Sequence, residues 1–369
     1  MMPRSKGLQY VQSPFKIDYS SKNLVRMNLN ENIVMPLPRL RSIIAKCTDE
    51  FDPRFYTSTL GEGELRTLTT EIAKYSGCSS SSVALGFGSD QTLDLVFKMK
   101  FGSSQNKLVT VDPTYSMYSI LARRMGASIV SVKLAPSTAE NPFSINSREI
   151  IQTSRKNNVK VLVLASPNNP TGIQYAEEVI LEIVESLPDL PIVIDEAYME
   201  YARYSASKFL SNNRNLILAR TFSKAFGLAN MRLGYLLSSD TSFVDNYNND
   251  FQYPYPLAGF AVLLATELLR RKSLVLEYAE KTKTYRHELI EGLQRLGSGL
   301  IVIPRSDANF VVVKSKISKK IAEELLSKYA IAVKFIPKMG TEGEFLRITV
   351  GSREINERLL YSLRKILAA

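Results

Sequence analysis

The sequence predicts an α/β protein with a large domain built on a mainly parallel seven-stranded sheet and a smaller α/β domain after it. Three observations predict this. Short β-rich runs alternate with amphipathic helical stretches up to about residue 245. Several of the runs, such as VLVLA at 161–165 and PIVI at 191–194, are apolar throughout, the pattern of strands covered on both faces. The 369 residues are long for one core and comfortable for two domains.

The elements follow in order. The N-terminal stretch MMPRSKGLQYVQSPFK has no apolar core segment, so no signal peptide is expected. Helical periodicity appears over Glu64–Tyr75, Asp90–Lys100, Tyr115–Met125 and Tyr175–Ser186. Between and after these lie candidate strands at Ser82–Leu85, Lys107–Val111, Ser128–Lys133, Lys160–Ala165, Pro191–Ile194, Leu216–Arg220 and Leu233–Leu237. Strand–helix alternation of this kind argues for parallel pairing with helical crossovers. Segment 257–296 then reads as helix without a proline. Strands are expected at Leu300–Ile303, Asn309–Val313, Ala332–Phe335 and Phe345–Val350, with helices at 317–329 and 353–367. The expected division is 26–255 for the large domain and 256–369 for the small one. Residues 1–25 should pack near the active site. No repeat or low-complexity linker interrupts the chain.

Composition narrows the chemistry. Hydrophobic residues make up 45% and charged residues 22%, ordinary values for a globular protein. No apolar run approaches the roughly 20 residues a membrane helix needs. Cys47 and Cys78 have no metal or CxxC spacing and fit a reducing cytoplasm. The single histidine, His287, lies in an amphipathic stretch, which argues against serine–histidine catalysis and histidine-based zinc sites. No metal site is expected. The net charge is +11, yet the basic residues are scattered, so anionic small molecules are expected as partners rather than nucleic acid or membrane.

Four strand-to-helix junctions carry candidate chemistry. Gly86-Phe87-Gly88-Ser89-Asp90 follows a strand and opens a helix, whose first N–H groups can face an anion. Ser166-Pro167-Asn168-Asn169-Pro170-Thr171-Gly172 follows VLVLA, at the carboxyl end of a parallel strand, where ligands bind. Asp195 ends another buried strand, followed by Glu196, Ala197 and Tyr198. Thr221, Ser223 and Lys224 follow a third, with Arg232 eight residues after the lysine. Two hydroxyls and an arginine suit a phosphate dianion. Taken singly, each junction reads equally well as a turn, a helix cap or a solvated lysine.

Taken together and in order, the chain resembles the fold-type-I pyridoxal-phosphate aminotransferases, and within them histidinol-phosphate aminotransferase. The matching segments are Asn28-Leu29-Asn30-Glu31-Asn32, Arg54-Phe55-Tyr56, Gly88-Ser89-Asp90, Pro113-Thr114-Tyr115, the Asn-Asn-Pro-Thr-Gly run, Asp195-Glu196-Ala197-Tyr198, Ser223-Lys224 and Phe345 to Gly351. The resemblance implies the fold-type-I transferase fold, pyridoxal 5'-phosphate as cofactor, and catalysis by Lys224, Asp195 and Tyr198. Lys224 would hold the cofactor and later shuttle the substrate's Cα proton. Asp195 would pair with the pyridine N–H, Asn169 and Tyr198 with the phenolate oxygen, and Tyr115 with the ring face. Gly88, Ser89, Asp90, Thr221, Ser223 and Arg232 would cradle the phosphate. Tyr56 would reach the phosphate of a neighbouring subunit, which implies a homodimer with shared sites. Arg347 would grip the substrate's anionic group, with Lys334, Tyr10 and Asn30 as further substrate contacts. An amino donor and 2-oxoglutarate would be the substrates.

One departure from the family pattern concerns substrate. The segment Ile331-Ala332-Val333-Lys334 carries lysine where the family usually has a second arginine, keeping charge but losing the planar fork. Three readings therefore stand side by side. One is histidinol-phosphate:2-oxoglutarate amino transfer. Another keeps the cofactor in an aromatic or broad-specificity aminotransferase, or a threonine-phosphate-type decarboxylase. The last is an α/β nucleotide-binding protein, disfavoured by Lys224 and Asp195.

Overall fold

Apolar strands form the centre of the computed structural model, which describes residues 14–102, 106–135, 143–156, 159–297, 299–339 and 343–368. In chain order its first elements are β1 (Val25–Met27), α1 (Leu37–Glu50), α2 (Gly63–Ser76), β2 (Val83–Gly86), α3 (Gly88–Lys100), β3 (Lys107–Asp112), α4 (Ser116–Arg124) and β4 (Ser128–Lys133). There follow α5 (Ser147–Lys156), β5 (Val159–Ala165), α6 (Glu177–Ser186), β6 (Ile192–Asp195), β7 (Leu216–Thr221), β8 (Gly234–Ser238), α7 (Thr241–Asn246), α8 (Gly259–Arg270) and α9 (Lys272–Gln294). The chain ends with β9 (Ile301–Val302), β10 (Phe310–Lys314), α10 (Ser318–Tyr329), β11 (Ile331–Ile336), β12 (Phe345–Thr349) and α11 (Arg353–Leu367).

The seven-stranded sheet has the order β2-β8-β7-β6-β5-β3-β4. Its pairings are parallel except at β8, which runs antiparallel to both β7 and β2. The expected α/β class with a mainly parallel seven-stranded sheet is what the chain forms. Side chains alternate across it, as the strand period of two requires. Leu162 and Leu164 of β5 face a core that includes α2, α6 and α8 residues, while Val161 and Val163 face one that includes α3 and α4 residues. Both faces are covered, which is why VLVLA carries no polar residue.

The second sheet has the order β1-β11-β12-β10-β9 and packs its own core with α9, α10 and α11. Two contacts cross the division expected at 26 and 255. Residues 25–27 form an edge strand of this small sheet, parallel to β11, with Arg26 opposite Ala332. Helix α8, beyond residue 255, buries Val262, Leu264, Ala265 and Leu268 in the core of the large sheet. Each follows from burial: a three-residue strand and an apolar helix gain stability only where a partner surface exists. Helices α1, α5 and α7 were not anticipated from the sequence; α7 has only 6 residues, and α1 begins at Leu37, between Pro36 and Pro38, with no side-chain cap.

Candidate active site

Three adjacent strands end at one place. Ala165, Asp195 and Thr221 close β5, β6 and β7, and all three line a cavity of about 600 Å³. The carboxyl edge of a parallel sheet is where an α/β fold leaves room for a ligand, because helices begin there and point their N-termini inward. Asn30, Ser89, Asp90, Tyr115, Asn169, Tyr198, Ser223, Lys224, Arg232 and Arg347 also line the cavity. The segment after β1 crosses from the small sheet into it, which places Leu29 and Asn30 against residues of the large one.

Asp195 is buried to 5% exposure. Its Oδ2 accepts the Tyr118 hydroxyl at 2.7 Å and its Oδ1 accepts the Ala197 N–H at 3.0 Å. Burial pushes the carboxyl up to about 6, against the lowering effect of those two donors. Burial also acts on Lys224, whose amine is brought down to about 8, with Arg347 adding to the effect. Lys224 Nζ donates to Leu29 O at 3.1 Å and lies 5.7 Å from the Tyr198 ring centre. Asn30 Nδ2 donates to the Tyr198 hydroxyl at 2.9 Å. Asn30 itself has φ 56°, a left-handed conformation that asparagine tolerates. Tyr115 opens α4, and its hydroxyl donates to Asp90 Oδ1 at 3.2 Å.

A second group of residues forms a cradle. Helix α3 begins at Gly88, with φ 77°, and Ser89 and Asp90 of its first turn line the cavity together with Thr221, Ser223 and Arg232. A Cβ on Gly88 would lie 2.8 Å from Arg232 Nη2, and one on Gly234 would lie 2.6 Å from the Ser89 nitrogen. The backbone thus approaches closely because glycine permits it. Thr221 Oγ1 and Ser223 Oγ are 3.0 Å apart, and Arg232 Nη2 is 3.7 Å from Asp90 Oδ2. Helix N–H groups, two hydroxyls and a guanidinium suit a phosphate dianion.

Arg347 is 8% exposed. It donates from Nη1 to Asn169 Oδ1 at 2.5 Å and from Nη2 to Asn28 O at 2.8 Å. Lys334 stands opposite it in the β11–β12 ladder. Lys334 is half-buried, and burial and the Arg347 charge lower its pKa; it is not among the residues lining the cavity. Tyr56 is also outside the lining set, 83% exposed and stacked 4.9 Å from the Tyr255 ring. Tyr10 lies outside the described residues.

The structure adds two residues that the motifs did not single out, Tyr118 and Arg26. Tyr118 lies three positions after Tyr115, on the same turn of α4, so helical spacing was a usable signal. Arg26 and Glu31 line the cavity and pair at 2.5 Å. No local pattern marks Arg26, whereas Glu31 belongs to the Asn28–Asn32 segment that carried the resemblance. A lowered-pKa amine, a buried carboxylate, a phosphate cradle and a buried arginine within one cavity can together hold pyridoxal phosphate. The amine suits its carbonyl carbon, the carboxylate its ring nitrogen and the cradle its phosphate.

Comparison with known proteins agrees. The model of the family "Aminotransferase class I and II" matches residues 22–363. Histidinol-phosphate aminotransferase 2 of Archaeoglobus fulgidus is 32% identical over 354 residues, covering 95% of this chain and 96% of that one. Histidinol-phosphate aminotransferase of Desulfitobacterium hafniense is 30% identical over 355 residues, covering 95% and 94%. The solved structure of histidinol-phosphate aminotransferase from Clostridium acetobutylicum superposes with a TM-score of 0.81 at 22% identity, covering 93% of this chain and 99% of that one.

Proposed function

The chain belongs to the class I and II aminotransferases, pyridoxal-phosphate enzymes, and on that premise we propose that it transfers the amino group of histidinol phosphate to 2-oxoglutarate. The observation that carries the proposal is Arg347, a buried guanidinium opening onto the same cavity as the Lys224 amine. An arginine so placed can hold a phosphate or carboxylate bidentately while the amine acts on the neighbouring carbon. The names of the relatives support histidinol phosphate as the donor. A biosynthetic reaction of this kind belongs in the cytoplasm.

The roles divide among the cavity residues. Bound pyridoxal phosphate supplies an electron-withdrawing ring that stabilises negative charge at the substrate Cα. Lys224 holds the cofactor through its ε-amine. As a free amine, Lys224 Nζ would move the proton at the substrate Cα, a task that burial makes easier by lowering its pKa toward neutrality. Asp195 would pair with the protonated ring nitrogen, and Tyr118 and the Ala197 N–H, both donating to it, favour its ionised form. Tyr198, oriented by Asn30, and Asn169 would donate to the ring oxygen. Tyr115 would cover the ring face. Gly88, Ser89, Asp90, Thr221, Ser223 and Arg232 hold the phosphate. Lys334 adds positive charge behind Arg347.

The site is completed by a second copy of the chain. Phe55, Tyr56, Tyr253 and Tyr255 are 72%, 83%, 69% and 51% exposed, an apolar surface a single chain rarely leaves in water. Tyr56 of that surface would reach the phosphate cradle of the partner. A panel of amino donors with 2-oxoglutarate tests the substrate. Histidinol phosphate should exceed phenylalanine, tyrosine, aspartate and threonine phosphate in kcat/KM. A better aromatic donor would overturn the assignment, as would carbon dioxide release from threonine phosphate.

A further inference from the structure

Strand β1 brings a cation to the cavity that no motif includes. Parallel pairing sets Arg26 opposite Ala332, and antiparallel pairing sets Lys334 opposite Arg347. Because strand side chains alternate, Ala332 and Lys334 share a face, so Arg26, Lys334 and Arg347 lie on one face of the small sheet. Arg26 and Arg347 both line the cavity.

We propose that Arg26 binds the second anionic group of a doubly anionic substrate, such as the distal carboxylate of glutamate or 2-oxoglutarate, and so sets the preference for these over monoanionic partners. The inference rests on the reading of Arg347 as the holder of the first anion. An arginine on an edge strand is ordinarily a solvated flank, but two contacts fix this one. Its guanidinium lies 5.0 Å from the Tyr19 ring centre, and Asn28 Nδ2 anchors the Tyr19 hydroxyl at 2.8 Å. Its Nη2 donates to Glu31 Oε1 at 2.5 Å. Its Nε is buried and finds no hydrogen-bond partner among the described residues. Arg26 lines the cavity, so a carboxylate entering it would meet the guanidinium. The guanidinium fork has five donors, so Glu31 at one nitrogen leaves room for a substrate oxygen at another. Glu31 also balances the charge when the substrate has no second anion, which lets one cavity accept both kinds of partner in turn.

The test uses the holoenzyme and two donors of nearly equal shape, glutamate and glutamine, with each half-reaction followed by cofactor absorbance. Arg26→Leu should lower the glutamate-to-glutamine ratio of kcat/KM by roughly 10- to 150-fold, the range for losing a hydrogen bond to a charged group. The loss should appear mainly in KM. Arg26→Gln, which keeps the stem and a polar head, should lower the ratio in the same direction, and Arg26→Lys should restore part of it. An unchanged ratio in both Arg26→Leu and Arg26→Gln overturns the inference, as does an equal loss for both donors, which would mark Arg26 as a support of the edge strand. The two readings fail separately. A shifted ratio in an enzyme that ignores histidinol phosphate retains Arg26 and removes the proposed donor. An unchanged ratio in an enzyme that prefers histidinol phosphate does the reverse.

Discussion

Asp195 and Lys224 move in opposite directions for the same reason: burial penalises whichever form is charged. For the lysine, this means the nucleophilic amine forms as pH rises through about 8. In cofactor-free protein, acylation of Lys224 should therefore accelerate across that range, while surface lysines respond only at higher pH; peptide mapping at several pH values checks it. Lys224→Ala should abolish turnover with the fold intact, and borohydride reduction of the wild-type holoenzyme should label Lys224 and no other lysine. Tyr118 gives a subtler prediction. Removing its hydroxyl takes one donor from a buried carboxylate, a loss of about 1.5–3 kcal/mol. Tyr118→Phe should cut turnover by roughly tenfold or more. With one donor gone the Asp195 carboxyl binds its proton more tightly, so the acid limb of the kcat/KM profile should move to higher pH. Asp195→Ala should be more severe still while cofactor remains bound. A Tyr118→Phe enzyme with an unmoved acid limb would show that Tyr118 serves packing alone.

Helix α3 and strand β8 hold the phosphate cradle by their closeness. Gly234 pairs with both Gly86 and Thr221, and a Cβ there would meet the backbone of Ser89 at 2.6 Å and of Gly88 at 2.7 Å. Backbone cannot swing aside as a side chain can. Gly234→Ala should push α3 outward, cost about 1–3 kcal/mol of stability, and weaken cofactor binding; thermal unfolding and absorbance titration with pyridoxal phosphate read the two effects. Beneath the site, Arg220 of β7 meets Glu196 at 2.8 Å with both side chains nearly inaccessible, at 3% and 2% exposure. Arg220 also donates to Ser205 Oγ at 2.6 Å and Ser76 Oγ at 3.1 Å. This pair ties β7 to the turn after β6, the two elements that present Lys224 and Asp195. Arg220→Ala would leave Glu196 charged and unpaired in the interior. Roughly 3–5 kcal/mol of stability should be lost, visible as a lower midpoint in urea.

For the whole molecule, the exposed tyrosines around Tyr56 make the dimer the unit of function in the proposed reading. Mixing inactive Lys224→Ala and inactive Tyr56→Ala subunits should restore activity, because one hybrid site then contains both residues. Verified exchange without recovery would assign Tyr56 to its own subunit. The sequence by itself determined the class of fold and the kinds of groups available. Apolar runs such as VLVLA mark strands covered on both faces, and helical spacing marks α2, α3, α4 and α6, because both are local consequences of backbone period and solvent exclusion. Lys224, Asp195 and Arg347 were marked by the resemblance of ordered motifs to a known family, not by period. Strand β1 was invisible: three residues carry no period, and its stability comes from Ile331, Ala332 and Val333 at the far end of the chain. Helical spacing could place Tyr118 beside Tyr115, but its meeting with Asp195, and Arg26 on one face with Arg347, were decided by tertiary structure. Their meeting depends on helix packing and strand register between distant segments, and hydrophobic burial chooses that register without leaving a mark on either segment's own pattern.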